Sequence, residues 1–497
     1  MLGSVTKRSR CEDPEALSIM ASGTESVEWV GQEFAGIDLD DKRLDRRLVK
    51  TATLLTKNPG APINEACGTW AATQGAYRLF DNRRASPEAI RRPHIRETIR
   101  RVLAVAGPVL VAQDTVFYSF GKHPKTKGLG PIGKSNSTHE RGLCVHNALA
   151  FTTSGVPLGM LSQNIWARQP VPEEEQQERV ERLHVTPIEE KESFKWLQAM
   201  RETLALAVPR SKLILVADRE SDFWELLAEA KQEGAHFLIR ARVDRKLVPE
   251  ESECCESIEE ALACAPVRGQ KSVSIPGNGK RKAREAQLEV RVTEVTIKPP
   301  QRRGRAKESA SIEPIGVRVI AATERTPPEG QEAVSWVLLT DLPVPDFKSA
   351  CEKVDWYGKR WGIEVWHKVL KSGCNVESCL LETAERLARY LALFSVIGVR
   401  LMHVAYLARV QPALAATEVF SQEEIEALHV RIYHAVPPAQ SLTLTEVVRM
   451  IGSLGGHLGR KCDGDPGMTV IWRGWLHLYE TVIALRAARS AGLINSS

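Results

Sequence analysis

The sequence lacks the marks of several protein classes. Its first twenty residues hold no apolar stretch behind their basic positions, so nothing there reads as a secretory signal. The longest apolar runs, such as 391–399, fall well short of the ~18 residues needed for a membrane span. Ten cysteines are scattered without paired metal-ligand spacing; they read as reduced thiols in a cytosolic protein. Net charge is small too, 67 basic against 62 acidic side chains, or +5. These absences argue against a secreted, a membrane-spanning and a collagen-like protein.

What is present is a globular composition, 43% hydrophobic and 26% charged over 497 residues. That length accommodates about three domains. Charge becomes informative once it is resolved along the chain. Segment 268–307 carries twelve Lys and Arg against Glu285, Glu289 and Glu294. Segment 28–101 is basic as well, whereas 172–192 is acidic. Basic patches on a modest total suit a surface that meets a polyanion. The plain alternative is a set of solvated faces.

Residues 1–27 read as an irregular leader. A helix is expected over Leu39, Leu44, Leu48, Ala52 and Leu55, with Asp38 or Asp40 as its cap and Asn58-Pro59-Gly60 at its end. A second is expected over 63–80. A third follows Ser86-Pro87, a cap and an N1 proline. Together these predict an all-helical domain over 28–104. Strands are expected at 108–117, 143–152 and 156–166, the last two joined by Thr153-Ser154-Gly155. Alternating helices and strands follow: helix 193–207, strand 213–217, helix 223–233, strand 235–240. A mixed sheet flanked by helices is therefore predicted. A basic, Gly- and Pro-rich stretch at 242–330 alternates at Leu288, Val290, Val292 and Val295 and reads as a β-rich insertion. Strand 334–339 and a long helix 347–371 close this region. Helices return beyond 380, ending with one over 476–491. The fold class is thus α/β multidomain, with domains 28–104, 105–375 and 376–497.

Three carboxylates are candidates for chemistry. Asp114 and Asp218 each end an apolar strand-type run, at the rim where open α/β sheets bind ligands. Either could instead be a loop or cap residue. The third lies on the long helix. At ~100° per residue, Tyr357, Arg360, Glu364 and Lys371 share one narrow polar face, with His367 and Lys368 beside it. One acid among cations and a tyrosine suits phosphate handling; a simple Arg360–Glu364 pair is the plainer reading. Two aspartates and a glutamate have the oxygen donors that Mg²⁺ prefers. Two such ions clamp the attacking and leaving oxygens of phosphoryl transfer.

The stretch from Tyr357 through Arg360 and Glu364 to Lys371 matches Y-x₂-R-x₃-E-x₆-K. This chain resembles the insertion-sequence-four family of DDE transposases, most of all its transposon-five branch. The likeness runs from about Trp29 to near the C-terminus. It includes Gly75-Ala76-Tyr77-Arg78, Gln113-Asp114-Thr115, Asp218-Arg219-Glu220 and Trp336-Val337-Leu338. The resemblance implies an RNase H-like mixed-sheet catalytic core over 105–375, flanked by N- and C-terminal helical domains. It implies a metal-binding triad of Asp114, Asp218 and Glu364 using two Mg²⁺ or Mn²⁺ ions. Tyr357, Arg360 and Lys371 would hold phosphates, Trp336 would stack with a flipped base, and Arg240 would contact DNA beside it. Arg219, His146, Lys57 and Arg78 are further DNA-contact positions by the same likeness. The implied activity is excision of a mobile element through an end hairpin, then joining of its 3′ ends to target DNA. The implied partners are element ends, target DNA and a second copy of the chain, with no membrane and a cytoplasmic, nucleoid-associated setting. Two departures stand out: Asn58 replaces an aromatic beside Lys57, and loop lengths differ across 242–330. The rivals are an RNase H-like nuclease or resolvase and a transposase-derived, non-catalytic DNA-binding regulator.

Overall fold

The computed structural model describes residues 26–121, 124–133, 140–170, 182, 186–249, 255–275, 283–300, 313–438, 441–460 and 463–494. Residues 1–25 of the expected leader, and parts of the acidic stretch 172–192 and the basic stretch 268–307, lie outside them.

The N-terminal region is helical: α1 (Ser26–Glu33), α2 (Lys42–Lys57), α3 (Ile63–Cys67), α4 (Trp70–Asp81) and α5 (Pro87–Ala104). Two local expectations are corrected. The cap of α2 is Asp41, whose carboxylate accepts from Arg43 N at 2.8 Å and Leu44 N at 3.4 Å. Asp38 instead turns back to Asp40 N, and Asp40 takes a φ of +58°. The stretch 63–80 is two helices, because the chain turns left-handed at Gly68, φ +69°, and Thr69 caps the next helix at Ala72 N. Ser86 and Pro87 start α5 as their chemistry predicts. Buried Glu33 of α1 accepts two hydrogen bonds from Arg101 of α5, each 3.0 Å, and contacts His94.

The centre is a ten-stranded mixed sheet. Its strands are β1 (Val109–Ser119), β2 (Gly130–Pro131), β3 (Arg141–Thr152), β4 (Pro157–Trp166), β5 (Leu213–Ala217), β6 (His236–Arg240), β7 (Val267–Ile275), β8 (Arg284–Ile297), β9 (Ile315–Glu324) and β10 (Ser335–Thr340). The order is β2-β3-β1-β5-β6-β10-β9-β8-β7, with β4 on β3. β1, β5 and β6 are parallel neighbours, and β10 returns antiparallel to β6. The region 242–330 is β-rich as expected, but its strands do not interrupt the sheet. β9 pairs along the free edge of β10 and carries β8 and β7 with it. A short helix, α8 (Ile258–Cys264), lies within the same region.

Strand alternation sends side chains to two cores. Val109, Val111, Leu213 and Leu215 meet Trp196, Leu197 and Met200 of α6 (Phe194–Leu204) and Leu227 of α7 (Trp224–Gln232). On the other face, Leu110, Ala112, Ile214 and Val216 share a core with Val354 of α9 (Phe347–Lys359), Ile363 and Trp366 of α10 (Trp361–Lys368), and Leu391 and Phe394 of α11 (Ala384–Val410). α11 is long and apolar enough to cross a membrane by length and composition, beyond what the run 391–399 suggests, yet 94% of that window is buried inside the protein. Behind it come α12 (Gln422–Tyr433), α13 (Leu444–Leu454) and α14 (Met468–Ser490). The last helix begins eight residues earlier than its apolar pattern suggests.

The expected long helix 347–371 is also corrected. It tightens at Arg360, where Arg360 N bonds to Tyr357 O and Ile363 N to Arg360 O, at 3.0 and 3.1 Å. It then widens into a π turn at Val369–Gly373. Close packing sets this path. A Cβ on Gly362 would fall 2.8 Å from the Phe151 ring, so α10 lies as near β3 as a helix can. Gly362→Ala should therefore lower stability by about 1–3 kcal/mol through overpacking. Chemical denaturation of the variant beside the parent checks this; unchanged stability would show that Phe151 moves aside freely.

Candidate active site

Register brings Asp114, Asp218 and Arg240 together, although only Asp218 and Arg240 lie at strand ends: β1 runs on through Asp114 to Ser119, because β3 pairs with it along that whole length. Ala112 pairs with Val216 and Ala217 with Ile239, so Asp114, Asp218 and Arg240 follow at one level on three neighbouring parallel strands. All three sit on strand positions that face α9 and α10. Trp336 lies on that face too, one step beyond on β10, where Leu338 pairs with Arg240. Arg240 donates to Ser335 O at 2.8 Å. Its guanidinium thereby borders the start of the tryptophan strand.

The helix residues close over this row. Trp336 meets the buried Tyr357 ring edge-on, with centroids 5.5 Å apart. The Arg360 guanidinium lies 5.9 Å from the Tyr357 centroid and donates to Glu364 Oε1 at 2.6 Å. The intrahelical pair expected on plain grounds is thus present, but it faces the aspartates. Burial pushes the Asp114 carboxyl up to about 7; Arg360 opposes this, and the charges of Asp218 and Glu364 add to it. Burial weighs against the Arg360 cation, yet Tyr357, Glu364 and Asp114 together hold it above its ordinary value. Asp218 and Glu364 therefore both lie within electrostatic reach of Asp114, and Arg360 sits between Asp114 and Glu364.

Lys371 lies within the π turn, further along the same face of β1, and its charge is felt by His367. It reaches Glu377 at 3.4 Å and the Tyr118 ring at 5.8 Å, at the far end of β1. Arg219 is exposed in the turn that follows Asp218. Arg78 is exposed in the last turn of α4, lining a cleft of about 400 Å³ with Tyr77, Asp81 and Arg386. Lys57 ends α2, and its charge is felt by Glu423 of α12.

His146 is not beside Asp114. It pairs in register with Thr115, so it points to the opposite face. There it is fully buried, 2.9 Å from Thr115 Oγ1 and edge-on to Trp196 at 4.6 Å. The histidine near Asp114 is His367, whose Nδ1 lies 3.6 Å from Oδ2. Burial, with Lys371 and Arg360 nearby, pushes its pKa down to about 3 and keeps it neutral. Sequence reading named His367 only as a neighbour on the helix; its three-residue spacing from Glu364 is the signal that was available. Trp361 was missed altogether. It is 58% exposed next to Arg360, and nothing in the sequence distinguishes it from a core tryptophan.

Among the described residues, no three His, Cys, Asp or Glu side chains close on a single metal-sized point, since Glu364 turns to Arg360. The donor set nevertheless suits a hard divalent cation. It offers carboxylate oxygens alone, in a place where uncompensated negative charge is costly enough to hold Asp114 protonated to about 7.

Two family models match the ends of the chain. Residues 26–85 match the model described as transposase DNA-binding. Residues 396–494 match the model described as the transposase Tn5 dimerisation domain, which begins midway along α11.

The burial of Asp114 has a pH signature. Its carboxyl titrates near 7 when folded and near ~3.9 when unfolded. The folded protein thus keeps a proton that the unfolded chain has lost. The stability that accompanies the proton is full below pH ~4 and is lost as pH rises through about 7. In chelator, Asp114→Asn should therefore be more stable than the parent at pH 8, by about 1 kcal/mol or more, with the gap closing toward pH ~4. Thermal melts across that range check it; a gap independent of pH would contradict the burial argument.

Proposed function

We propose that this chain, a Tn5-like transposase of the insertion-sequence-four family, excises a mobile element from double-stranded DNA and joins its 3′ ends to a target. The matched ends supply DNA binding and homodimer formation. One observation carries the catalytic reading: Asp114 and Asp218 share a level on adjacent parallel strands, within electrostatic reach of Glu364.

In this reading Asp114, Asp218 and Glu364 hold two Mg²⁺ or Mn²⁺ ions, which when bound neutralise charge on the scissile phosphate and on the attacking and leaving oxygens. The surrounding residues have separate tasks. Arg360 and Tyr357 bind and orient the phosphate, and Arg360 is released from Glu364 when DNA enters. Lys371, out at the end of β1, holds a neighbouring phosphate. Arg240 fixes the strand near Trp336, whose ring accepts an unstacked base. Water cuts one strand; the freed 3′-OH attacks the opposite strand, giving a hairpin that water reopens. The same hydroxyl then attacks target DNA. Positioning and fixed charge account for the rate, as in phosphoryl transfer generally. A nuclease or resolvase would cut but not join, and a regulator would bind but not cut.

The deciding experiment is a strand-transfer assay with Mg²⁺ on DNA carrying the element's ends. The parent should nick, form hairpins and join. Asp114→Ala, Asp218→Ala and Glu364→Ala should each stop all three while end binding persists. Mg²⁺ should raise the melting temperature of the parent but not that of Asp114→Asn. Robust cutting by any one alanine variant would remove that residue from the triad.

Trp336 is tested separately. Stacking a base is worth about 1–3 kcal/mol, so Trp336→Ala should slow hairpin formation by roughly tenfold or more while nicking proceeds. Gel analysis should show the nicked intermediate accumulating. Equal loss of both steps, with a lowered melting temperature, would make Trp336 a packing residue only.

A further inference from the structure

A chain of buried side chains runs from α5 to Asp114. Arg91 donates to Gln163 Oε1 at 3.3 Å and to Gln163 O at 2.9 Å. The Gln163 amide donates to Asn147 Oδ1 and to Ser395 Oγ, each at 2.8 Å. The Asn147 amide meets His367 Nε2 at 3.1 Å, and His367 Nδ1 faces Asp114 Oδ2 at 3.6 Å. Arg91, Gln163, Asn147, Ser395 and His367 are all buried.

The direction of every bond follows from the first. A guanidinium only donates, so Gln163 turns its oxygen to Arg91 and its NH₂ to Asn147 and Ser395. Ser395 spends its own proton on Leu391 O, at 2.7 Å, so it too must accept from Gln163. Asn147, accepting on Oδ1, has only its NH₂ left for His367. His367 Nε2 is therefore the acceptor, and the ring carries its proton on Nδ1, aimed at Asp114. Oriented dipoles of this kind reinforce one another in a low-dielectric interior.

We propose that His367 is a positioning residue for Asp114, its tautomer set by the donor chain that begins at Arg91. This rests on the reading of Asp114 as a catalytic carboxylate. The Nδ1–H faces Oδ2 from 3.6 Å and so favours one rotamer of the Asp114 carboxyl over the others. The anchor lies on the helix that directly follows the DNA-binding region.

Two substitutions and one spectrum test this. Asparagine puts its amide near the Nδ1 position of histidine and can still donate to Asp114. Glutamine puts its amide near Nε2, keeping the Asn147 contact and losing the donor to Asp114. Glutamine is the closer match in volume, so packing alone favours it. The positioning role predicts the reverse: single-turnover nicking by His367→Asn within roughly tenfold of the parent, and by His367→Gln about tenfold slower again, with end-DNA affinity unchanged in both. In ¹⁵N-histidine-labelled parent protein, with His367 assigned through its own backbone, Nδ1 should be protonated and Nε2 bare. Faster nicking by the glutamine variant, or a proton on Nε2, overturns the proposal even if neither variant folds well. Asp114→Ala separates the two layers. If it cuts, the catalytic reading fails; if it is dead while the ring is protonated on Nε2, only the positioning role fails.

Discussion

Negative charge held out of water midway along β1 is the constraint to which the middle of the molecule is fitted. Asp114 is mostly enclosed, and two more acids lie near it. Such a cluster is unfavourable unless a cation shares the space. Arg360 is that cation in the structure, bonded to Glu364 and flanked by the Tyr357 ring. A helix delivers this arginine and glutamate to the same point, one turn apart, where they pair beside Asp114.

Delivering both to that point requires an irregular helix. The tightening at Arg360 and the π turn after Lys368 are departures from ideal geometry, and π turns frequently occur at functional sites. Gly362 allows α10 to lie against Phe151, while Trp366 and Leu370 lock the other side into the core shared with α11. The rigidity of the site comes from this packing rather than from the carboxylates, which repel one another.

The sheet links the site to the rest of the chain. Its far edge is lengthened by β9, β8 and β7, which give β10 a paired neighbour and so stiffen the strand that carries Trp336. Towards the N-terminus, α5 packs on β4 and sends Arg91 and Arg101 into buried polar networks. Towards the C-terminus, α11 packs into the core on the α9–α10 side of the sheet along its whole length, and the dimerisation match starts midway along it. The dimerisation match thus begins within a helix that the sheet's core already holds, while α5 starts two residues after the DNA-binding match ends.

Much of this was legible in the sequence, where the signal was local. The run ending at Asp218, the cap at Ser86-Pro87, and the alternation of Leu288, Val290 and Val292 each reflect a rule that acts over a few residues, and each appears in the fold; β1 instead continues past Asp114 to Ser119, and Val295 turns to the other core. Other features were not legible. Asp38, Asp40 and Asp41 are chemically equivalent caps until the backbone chooses one. His146 and His367 are both histidines near an aspartate on paper, but strand register turns one away and helix packing turns the other in. Lys371 keeps its motif spacing, but the π turn at Val369–Gly373 that carries it has no signature in the sequence. The sequence by itself determined which elements form and which chemistry they carry, since propensity and periodicity are short-range. Only the tertiary structure decided which side chains meet, because register, facing and close approach are set by contacts between residues hundreds of positions apart.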